Sequence, residues 1–445
     1  MNFAEIKEVL FREAQKAGLS EYDVYFRMVD DISADALAKQ PNSFSSGRSG
    51  GVSFRCAVNG RIGSASTQSI TEEDLAGLVP RAISNAAVID AEDEPIFFEG
   101  SPAYGKVRVG VPPLPDAATL RRTALELQEQ LFAASDKMTD AASSGAGAAV
   151  ITVSLANSKG LDLSHTAGKH YSFAEAIVTE GEESSDGVAF AATVDAAATD
   201  IAKKATREAL ERLGAGNVKT GSYDVIFEAR QMRALLGAFS GIFSGKNALL
   251  GLSLLAGKEG QKVAADCLTV IDDPFYEENT MQMPFDAEGV ATAEKKIIDR
   301  GVLTTLLYDL TNAKKAGVES TGNAVRGGVA DPVSISPYCL RIEGGKASPD
   351  ELLAQLGNGI YITELKGLHA GADAVTGDFS IESAGFLVEN GQKTRPVHSF
   401  TVAGNFFDLL KAIDGVADKV EMGLPALTVV AAPDVLVRGL SVAGE

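Results

Sequence analysis

Histidine is the side chain that most often combines proton transfer with metal binding, and this chain of 445 residues has only four. His165 and His170 lie five residues apart on a predicted hairpin, so the two-residue repeat of a strand places them on opposite faces. His369 lies in a glycine-flanked loop, and His398 follows Pro396 on a predicted strand. No two histidines have the spacing of helical metal ligands, and we interpret all four as structural.

The carboxylates also lack the neighbours that acid–base chemistry requires. Asp272-Asp273 and Glu277-Glu278 flank a Pro-Phe-Tyr segment, which predicts a loop with solvated charge. Asp378 lies in the sequence Thr-Gly-Asp-Phe-Ser without a histidine or second acid nearby, and we interpret it as a turn residue. The sequence has no phosphate-binding loop and no Gly-x-Ser-x-Gly nucleophile motif. The glycine-rich stretch at Gly145 has Val150 at its third glycine position, so we predict no dinucleotide site.

Composition excludes several classes of protein. The chain has 40 Lys and Arg residues against 60 Asp and Glu residues, a formal net charge of −20. Such a surface repels a phosphate backbone, so we predict no direct binding of nucleic acid. The charged N-terminus resembles no signal peptide, and no apolar run is long enough to span a bilayer, so we expect a cytoplasmic protein without a membrane partner. Three cysteines stand far apart, which predicts neither a disulfide nor a zinc site: Cys56, Cys267 and Cys339.

The elements that would position these side chains are predicted to form three domains, the first over residues 1–100. Its apolar spacing indicates an N-terminal helix that stops near Gly18, followed by strands. Asn59-Gly60 is the typical turn of a β-hairpin. Thr71 is predicted to cap the N-terminus of a helix, and Pro80 should kink that helix.

The second predicted domain covers residues 101–218. A proline-rich linker over 91–115 leads into it, and Asp116 begins a long amphipathic helix. Strands follow, then an acidic stretch at 180–187 that we interpret as a solvated loop, and finally a helix over 197–213.

The third predicted domain, residues 219–445, begins with a buried strand and a helix over 229–243. Many short strands with glycine turns follow, including a hairpin at Asn390-Gly391. Strands and helices do not alternate regularly, so the predicted class is α+β and multidomain, with two N-terminal α/β units followed by a large β-rich C-terminal domain.

Several segments of the last domain resemble the PmbA/TldD family, also called modulators of DNA gyrase. They are MPFDAEG, the strand IIDRGVLTTLLYD, KKAGVESTGNA, AVTGDFSIESAGFLVENGQKTRPV and TVAGNFFDLLKAI. The N-terminal GVSFRCAVNGRIGSAST fits the first domain of the family, so the resemblance covers nearly the whole chain. It implies a zinc peptidase in the metal-bearing (TldD) branch, with a His-Glu-x-x-x-His helix and a cysteine from a glycine-rich C-terminal segment.

On the matching helix this sequence has other residues, which is typical of the PmbA (TldE) branch. Gly237 and Ile242 stand at the two histidine positions and Ala238 at the glutamate position, while the C-terminal segment EMGLPALTVVAAP has no cysteine. These side chains neither bind zinc nor transfer a proton. We therefore assign no catalytic, cofactor or metal residue. We expect the helix to pack on strands, with Gly237 and Ala238 in a narrow space and without a face that opens to a polar pocket.

The resemblance implies a non-catalytic subunit that pairs with a zinc-bearing TldD-like paralogue in a protease for unfolded peptides, binding peptide by strand addition. Two alternatives stay open: a regulatory or peptide-binding homodimer, and a hydrolase with an unrecognised site around His369 and Asp378. We expect a homo- or heterodimer in each case, because a chain whose catalytic site is degenerate acts through contacts with another chain. Any link to DNA gyrase would pass through protein partners, given the acidic surface.

Overall fold

A computed structural model describes residues 1–88 and 93–445. The first two predicted domains share one antiparallel six-stranded sheet, in the order β3-β2-β1-β4-β5-β6. Its strands are β1 Tyr22–Leu37, β2 Gln40–Val58, β3 Arg61–Thr67, β4 Ser143–Asn157, β5 Asp162–Glu180 and β6 Glu183–Ala191. The central pair joins the two units along nearly their whole length, from Asp23 opposite Asn157 to Leu37 opposite Ser143. Each unit therefore contributes three strands to a single layer.

Five α-helices cover one face of this sheet. Each has a side-chain cap at its N-terminus or an apolar stripe that packs on the sheet. They are α1 Phe3–Lys16, α2 Glu72–Ala76, α3 Leu78–Val88, α4 Ala117–Ala134 and α5 Ile201–Arg212. Thr71 caps α2 and Asp116 caps α4, each by accepting a backbone N–H three residues on, as predicted. The break between α2 and α3 falls at Gly77, three residues before Pro80. Alternation on β2 turns Phe54 and Cys56 toward the helices, where they are fully buried.

The β-rich C-terminal domain contains a closed barrel and a second sheet. Its strands are β7 Gly221–Phe227, β8 Val270–Asp272, β9 Lys295–Asp299, β10 Val302–Leu303, β11 Ala324–Val325, β12 Ser334–Ile335, β13 Cys339–Ile342, β14 Gly359–Lys366, β15 Asp378–Glu389, β16 Gln392–Asn405, β17 Ile413–Val416, β18 Glu421–Met422, β19 Val429–Ala432 and β20 Val435–Ala443. The barrel runs β16-β15-β14-β7-β20 and closes because β16 also pairs with β20, while β17 extends from β20. A second six-stranded sheet has the order β10-β9-β8-β13-β19-β18, and β11 pairs with β12 in a separate two-stranded sheet.

The helices of this domain are α6 Ala229–Ala238, α7 Gly245–Leu249, α8 Leu310–Ala316, α9 Pro349–Leu356, α10 Leu368–Gly371 and α11 Phe406–Ala412. Segment 281–287, which contains most of the MPFDAEG motif, packs against the face of the N-terminal sheet opposite its helices. Met281, Met283 and Phe285 lie there in one buried cluster with Val153 and Leu155. The motif therefore joins the N-terminal sheet to the C-terminal domain. The mixed α+β architecture with a β-rich last domain confirms the predicted fold class.

Three local predictions are wrong. The acidic stretch 180–187 is not a loop, because Glu183 begins the edge strand β6 and only a tight hairpin separates it from β5. The predicted helix over 229–243 ends at Ala238, and a 3₁₀ turn covers Ser240–Phe243. The third error, at Asp272-Asp273, concerns a buried carboxylate and is described with the site below.

The linker has no helix or strand over residues 93–115, as predicted, and it is held in place by specific contacts. Asn157 Nδ2 donates to the carbonyl of Phe98 at 2.6 Å, and Tyr104 Oη donates to the carbonyl of Gly289 at 3.0 Å. The start of the predicted linker at 91–92, and the end of the first unit near residue 90, lie outside the described residues. Within the described ranges, no helix is long and apolar enough to cross a membrane.

Candidate functional site

Helix α6 and the 3₁₀ turn after it carry the three positions at which the resemblance implies zinc ligands and a base. The helix begins where the Asp434 carboxylate accepts the backbone N–H of Ala229, at 2.8 Å, an arrangement that stabilises a helix N-terminus. Its apolar stripe, with Met232, Leu235 and Leu236, is fully buried in the main core of the C-terminal domain. The helix therefore packs on the strands, as predicted. The prediction that it no longer opens to a polar pocket is wrong, because Arg230 and Arg233 of the helix line a polar cleft.

The three degenerate positions lie in different environments. Ile242 is fully buried in the core, on the 3₁₀ turn beyond the helix. Ala238 is exposed and Gly237 half-buried, and a Cβ at Gly237 would meet only Val430 Cγ2, at the ordinary distance of 3.6 Å. The prediction that Gly237 and Ala238 occupy a narrow space is wrong, because β19 leaves room beside the helix end. Glycine, alanine and isoleucine offer no donor atoms, so these positions do not fit a zinc ion.

The C-terminal segment at 421–430 lies beside α6, as the implied third ligand would require. Val430 on β19 faces Gly237, and a Cβ at Gly423 would lie 3.3 Å from Nη1 of Arg233. Arg233 stands four residues before Gly237, on the same side of the helix. The structure thus brings together the segments that the resemblance predicts to converge, but with an arginine rather than metal ligands beside them.

A cleft of about 1040 Å³ opens next to this helix, between the N-terminal sheet and the C-terminal domain; we call it the α6 cleft. Edge strand β6 forms one wall, where the side chain of Phe190 is 51% exposed. Edge strand β18 and the following residues 423–425 form part of the other. The charged or aromatic residues that line it further are Lys204, Arg207, Glu208, Glu211, Arg212, Glu228, Arg230, Arg233, Glu278, Tyr361, Phe386, Lys393 and Glu421.

Ion pairs and hydrogen bonds cross the α6 cleft from one domain to the other. Glu208 of α5 pairs with Arg230 of α6 and, at 2.6 Å, with Arg212. Arg230 Nη1 also donates to the carbonyl of Val188, and Arg212 Nη1 to that of Asp186, at 2.9 and 3.1 Å. These guanidinium groups occupy two carbonyls of β6, which protects part of an otherwise open strand edge.

Other charges in the α6 cleft are incompletely paired. Burial lowers the pKa of Arg233, and its Nε has no hydrogen-bond partner among the described residues. Lys393 Nζ lies 3.4 Å from the ring centre of Tyr361, and burial lowers the pKa of this amine too. Burial beside other carboxylates raises the pKa of Glu228 to about 7. The cleft therefore presents two desolvated cations and one carboxylate that titrates near neutrality, a setting that binds polar groups.

The four histidines are spread over the molecule. His165 Nε2 lies 2.9 Å from the carbonyl oxygen of Gln282, and burial lowers its pKa. His170 Nε2 lies 2.7 Å from the carbonyl oxygen of Pro113, and His398 Nδ1 lies 2.8 Å from Ser399 Oγ. His369 is exposed on α10. Within residues 1–88 and 93–445, no group of three or more His, Cys, Asp or Glu side chains is arranged to hold a metal ion.

The candidate carboxylates have structural contacts. Asp378 is exposed at the start of β15, so its interpretation as a turn residue is wrong. It accepts from Asn405 Nδ2 at 2.9 Å, and no hydrogen bond joins it to His369 among the described residues. Glu277 and Glu278 are exposed, as predicted. Asp272 and Asp273 both contradict their predicted solvation. Asp272 is fully buried on β8 and accepts from Lys295, Asn323 and the amides of Tyr338 and Cys339. Asp273 is buried as well and accepts the backbone N–H of Phe275 at 3.0 Å.

The recognised motifs contribute mainly to structure. Asp286, in MPFDAEG, accepts the backbone N–H groups of Glu288, Val290 and Ala324 at 2.9–3.0 Å. Burial and the neighbouring Glu288 raise its pKa to about 8. Arg233 and Arg326, two arginines whose buried Nε atoms have no hydrogen-bond partner among the described residues, were not predicted from the sequence, since their environments depend on segments far apart in the chain.

Sequence models of three PmbA/TldA metallopeptidase domains match the chain: domain 1 over residues 22–86, the central domain over 111–213 and the C-terminal domain over 220–444. Among curated relatives, Metalloprotease PmbA of Escherichia coli is 34% identical over 215 residues, covering 48% of this chain and 45% of that protein. A Metalloprotease TldD homolog of Haemophilus influenzae is 31% identical over 239 residues, covering 52% and 48%. The chain thus matches about half the length of these relatives.

Solved structures extend the likeness to the whole chain. A protein of Thermotoga maritima described as a modulator of a DNA gyrase superposes with a TM-score of 0.89 at 30% identity, covering 99% of this chain and 100% of that one. TldE from Thermococcus kodakarensis gives a TM-score of 0.88 at 22% identity, with the same coverage, and shows the shared fold alone.

Proposed function

The chain belongs to the PmbA/TldA metallopeptidase family, and on that premise we propose that it is a non-catalytic subunit of a TldD-type metalloprotease. In this role it binds unfolded peptide in the α6 cleft, in the cytoplasm, while a zinc-bearing relative performs the hydrolysis. The observation that carries the proposal is the chemistry of positions 237, 238 and 242. Gly237 lies next to Val430 of the 421–430 segment, but the three positions supply neither zinc ligands nor a base.

The α6 cleft supports a role in peptide binding. Extended peptides bind proteins by pairing with strand edges, and β6 and β18 are both edge strands that border this cleft. Arg230 and Arg212 already occupy the carbonyls of Val188 and Asp186, so the end of β6 near Phe190 is the part free to pair. Arg233 and Lys393 would hydrogen-bond carbonyl or carboxylate oxygens of the peptide, and the Phe190 ring would cover an apolar side chain.

An exposed apolar patch supports a role within an assembly. Leu249, Leu250, Leu252 and Leu254 follow one another on and after α7, and each is 42–61% exposed. Contiguous leucines of this exposure are unusual on a monomeric surface and typical of protein interfaces. We call these four residues the leucine patch and propose that it contacts a zinc-bearing relative or a second copy of the chain.

Elemental analysis and a cleavage assay test the proposal. The chain would be purified alone and together with a zinc-bearing relative from the same genome. For the chain alone we expect no stoichiometric zinc and no cleavage of casein. For the co-purified complex we expect stoichiometric zinc and cleavage of casein that a chelator abolishes. One zinc per chain with chelator-sensitive activity in the isolated protein would contradict the proposal. Failure to associate with the relative, together with formation of a homodimer, would favour the regulatory homodimer instead.

The cleft is tested in that complex with Arg233→Gln, which removes the unpaired charge. We expect a higher KM for unfolded casein with unchanged zinc content, because the substitution affects peptide binding and not the metal. Arg300→Gln, at a side chain 83% exposed, is the control. An unchanged KM for Arg233→Gln would show that peptide does not use this cleft.

A further inference from the structure

A second cleft, of about 960 Å³, lies between strands β2–β3 and the C-terminal domain, away from α6; we call it the Arg326 cleft. Alternation on β2 turns Ser53 and Arg55 to the face opposite Phe54 and Cys56, so the floor of the cleft is polar. Glu288 and Arg326 approach from the C-terminal domain. The cleft thus joins polar groups of two domains that are far apart in sequence.

Arg326 is buried without a counter-ion among the described residues. It is only 7% exposed, and its Nε has no hydrogen-bond partner in the same part of the chain. Its guanidinium carbon lies 4.7 Å from the ring centre of Tyr25, and it forms no ion pair with any residue that the structure describes. Burial and the like charge of Arg55 lower the pKa of Arg326 to about 10, so it stays charged at neutral pH. A cation over a ring offsets only part of the free energy that desolvation costs.

The neighbouring charges do not complete its pairing. Arg55 has its own partner in Asp23, with Nε 3.1 and 3.0 Å from the two carboxylate oxygens. Glu288 accepts from the backbone N–H of Leu310 at 2.9 Å, and burial raises its pKa. At the mouth of the cleft, Lys246 and Arg81 have no acidic partner within the described part of the chain, and Arg81 Nε donates to a carbonyl oxygen, that of Gly77. Asp309 and Asp331 also line the cleft, and neither forms an ion pair with Arg326 among the described residues. Arg326 therefore keeps an unused hydrogen-bond donor at the buried end of the cleft.

We propose that the Arg326 cleft binds the carboxylate of a small organic acid, of the size of one to a few amino-acid residues, with Arg326 as its anchor. A planar guanidinium forms two parallel hydrogen bonds with a carboxylate, and Ser53, which lines the same cleft, carries a further donor. A volume near 960 Å³ exceeds what a bare carboxylate fills and lies within the range of small-molecule sites. Glu288 beside the anchor disfavours a phosphate dianion, so the site prefers a monoanion. This inference is independent of the proposed subunit role.

Calorimetric titration of the full chain tests it with defined probes: N-acetyl-dialanine, its C-terminal amide, L-alanine and inorganic phosphate. We expect one or both of the free acids to bind, and the amide and phosphate to bind at least about tenfold more weakly, the loss that removing a charged hydrogen bond produces. The two acids distinguish a free amino acid from a peptide C-terminus as the source of the carboxylate. No binding of either acid, equal binding of acid and amide, or tighter binding of phosphate would overturn the proposal.

Three variants locate the site. Arg326→Gln should weaken binding of the acid at least about tenfold, and Glu288→Gln should tighten it, because it removes the nearby negative charge and keeps an acceptor for Leu310. Arg300→Gln is the control. Normal binding by a folded Arg326→Gln chain would refute the assignment. If that variant does not fold, Glu288→Gln decides alone: tighter binding of the acid but not of the amide supports the site, and unchanged binding contradicts it.

Discussion

Buried charged residues of this chain differ in how completely they are paired, and the difference separates structural positions from clefts. Asp272 accepts four hydrogen bonds and Asp286 accepts three backbone N–H groups, so both carboxylates hold loops together. Glu228 Oε2 and Arg326 Nε have no hydrogen-bond partner among the described residues. Since an unpaired buried charge costs free energy, incomplete pairing at a cleft indicates a binding role rather than a structural one.

Glu228→Gln should change the pH dependence of stability. Burial raises the folded-state pKa of Glu228 to about 7, above its ordinary value of 4.5. The contribution of the protonated side chain to the free energy of unfolding is therefore fully present below pH 4.5 and is lost as pH rises through 7. A glutamine at this position stays neutral, so the variant does not lose that stability at high pH. We expect thermal unfolding to show little difference at pH 5 and a gain of about 1–2 kcal/mol for the variant at pH 8.

Glu277→Gln, in an exposed loop, is the control for that experiment and should stay within about 0.5 kcal/mol of wild type at both pH values. A Glu228→Gln chain that is equally destabilised at pH 5 and pH 8 would show that the carboxylate makes a structural contact instead.

Restoring the missing ligands should not restore a zinc site. In the triple variant Gly237→His, Ala238→Glu, Ile242→His, the last change places an imidazole in a fully buried core position and should cost about 3 kcal/mol or more. The third ligand and the residues that orient the first ones are also missing. We expect calorimetry to show no tight zinc binding, while the double variant Gly237→His, Ala238→Glu folds normally. Tight binding of one zinc with peptide hydrolysis would show that the site had survived.

At the scale of elements, a glycine on each outer strand sets the distance between helix and sheet. Gly63 on β3 contacts α3, where a Cβ would lie 1.9 Å from the carbonyl oxygen of Ala82. Gly187 on β6 makes the same contact with α5, where a Cβ would lie 2.2 Å from the carbonyl oxygen of Ala205. In both cases the Cβ would also lie 2.7 Å from the backbone nitrogen of the alanine four residues further along the helix. With the symmetric strand order, this correspondence indicates that the two helix–strands–helix units are structural repeats.

Gly63→Ala should therefore destabilise the N-terminal sheet. The added methyl group cannot fit against a helix backbone without moving α3, and we expect a loss of about 3 kcal/mol in the free energy of unfolding. Gly77→Ala is the matched control, since Gly77 has φ −66° and a Cβ there would approach atoms no closer than 3.4 Å. It should change stability by less than about 1 kcal/mol. Equal effects of the two substitutions in chemical denaturation would contradict the close-packing argument.

The elements that the sequence predicts well are those with local signals. The caps at Thr71 and Asp116 and the hairpin turns at Asn59-Gly60 and Asn390-Gly391 are all confirmed, since each depends on a few adjacent residues. Strand β6 was missed because its acidic residues point to solvent from a sheet edge, and Asp272 because its four donors come from distant segments. For the same reason the sequence predicts which ligands are missing on α6 but not the cleft beside them.

At the scale of the whole molecule, the domains are held together by more than the linker. The N-terminal sheet has helices on one face and the C-terminal domain on part of the other, where the buried cluster with Met281 and Phe285 joins them. Both clefts open at this junction, one beside β6 and one beside β2 and β3. Ligands bound there would contact both domains, so we infer that binding at either cleft stabilises the junction.

The leucine patch should determine the oligomeric state. Its four side chains lie within six consecutive residues at 42–61% exposure, and covering them would remove a contiguous apolar surface from water. We expect light scattering at micromolar concentration to give at least twice the mass of one chain, either alone or with the zinc-bearing relative.

Leu250→Asp combined with Leu254→Asp should reduce this mass to that of one chain without loss of secondary structure, because both leucines are already solvent-exposed in the isolated fold. Val318→Asp, an equally exposed but isolated apolar position at 49%, should leave the assembly intact. A single-chain mass for the wild-type protein in the presence of the relative, or an unchanged assembly in the double aspartate variant, would show that the patch is not the interface.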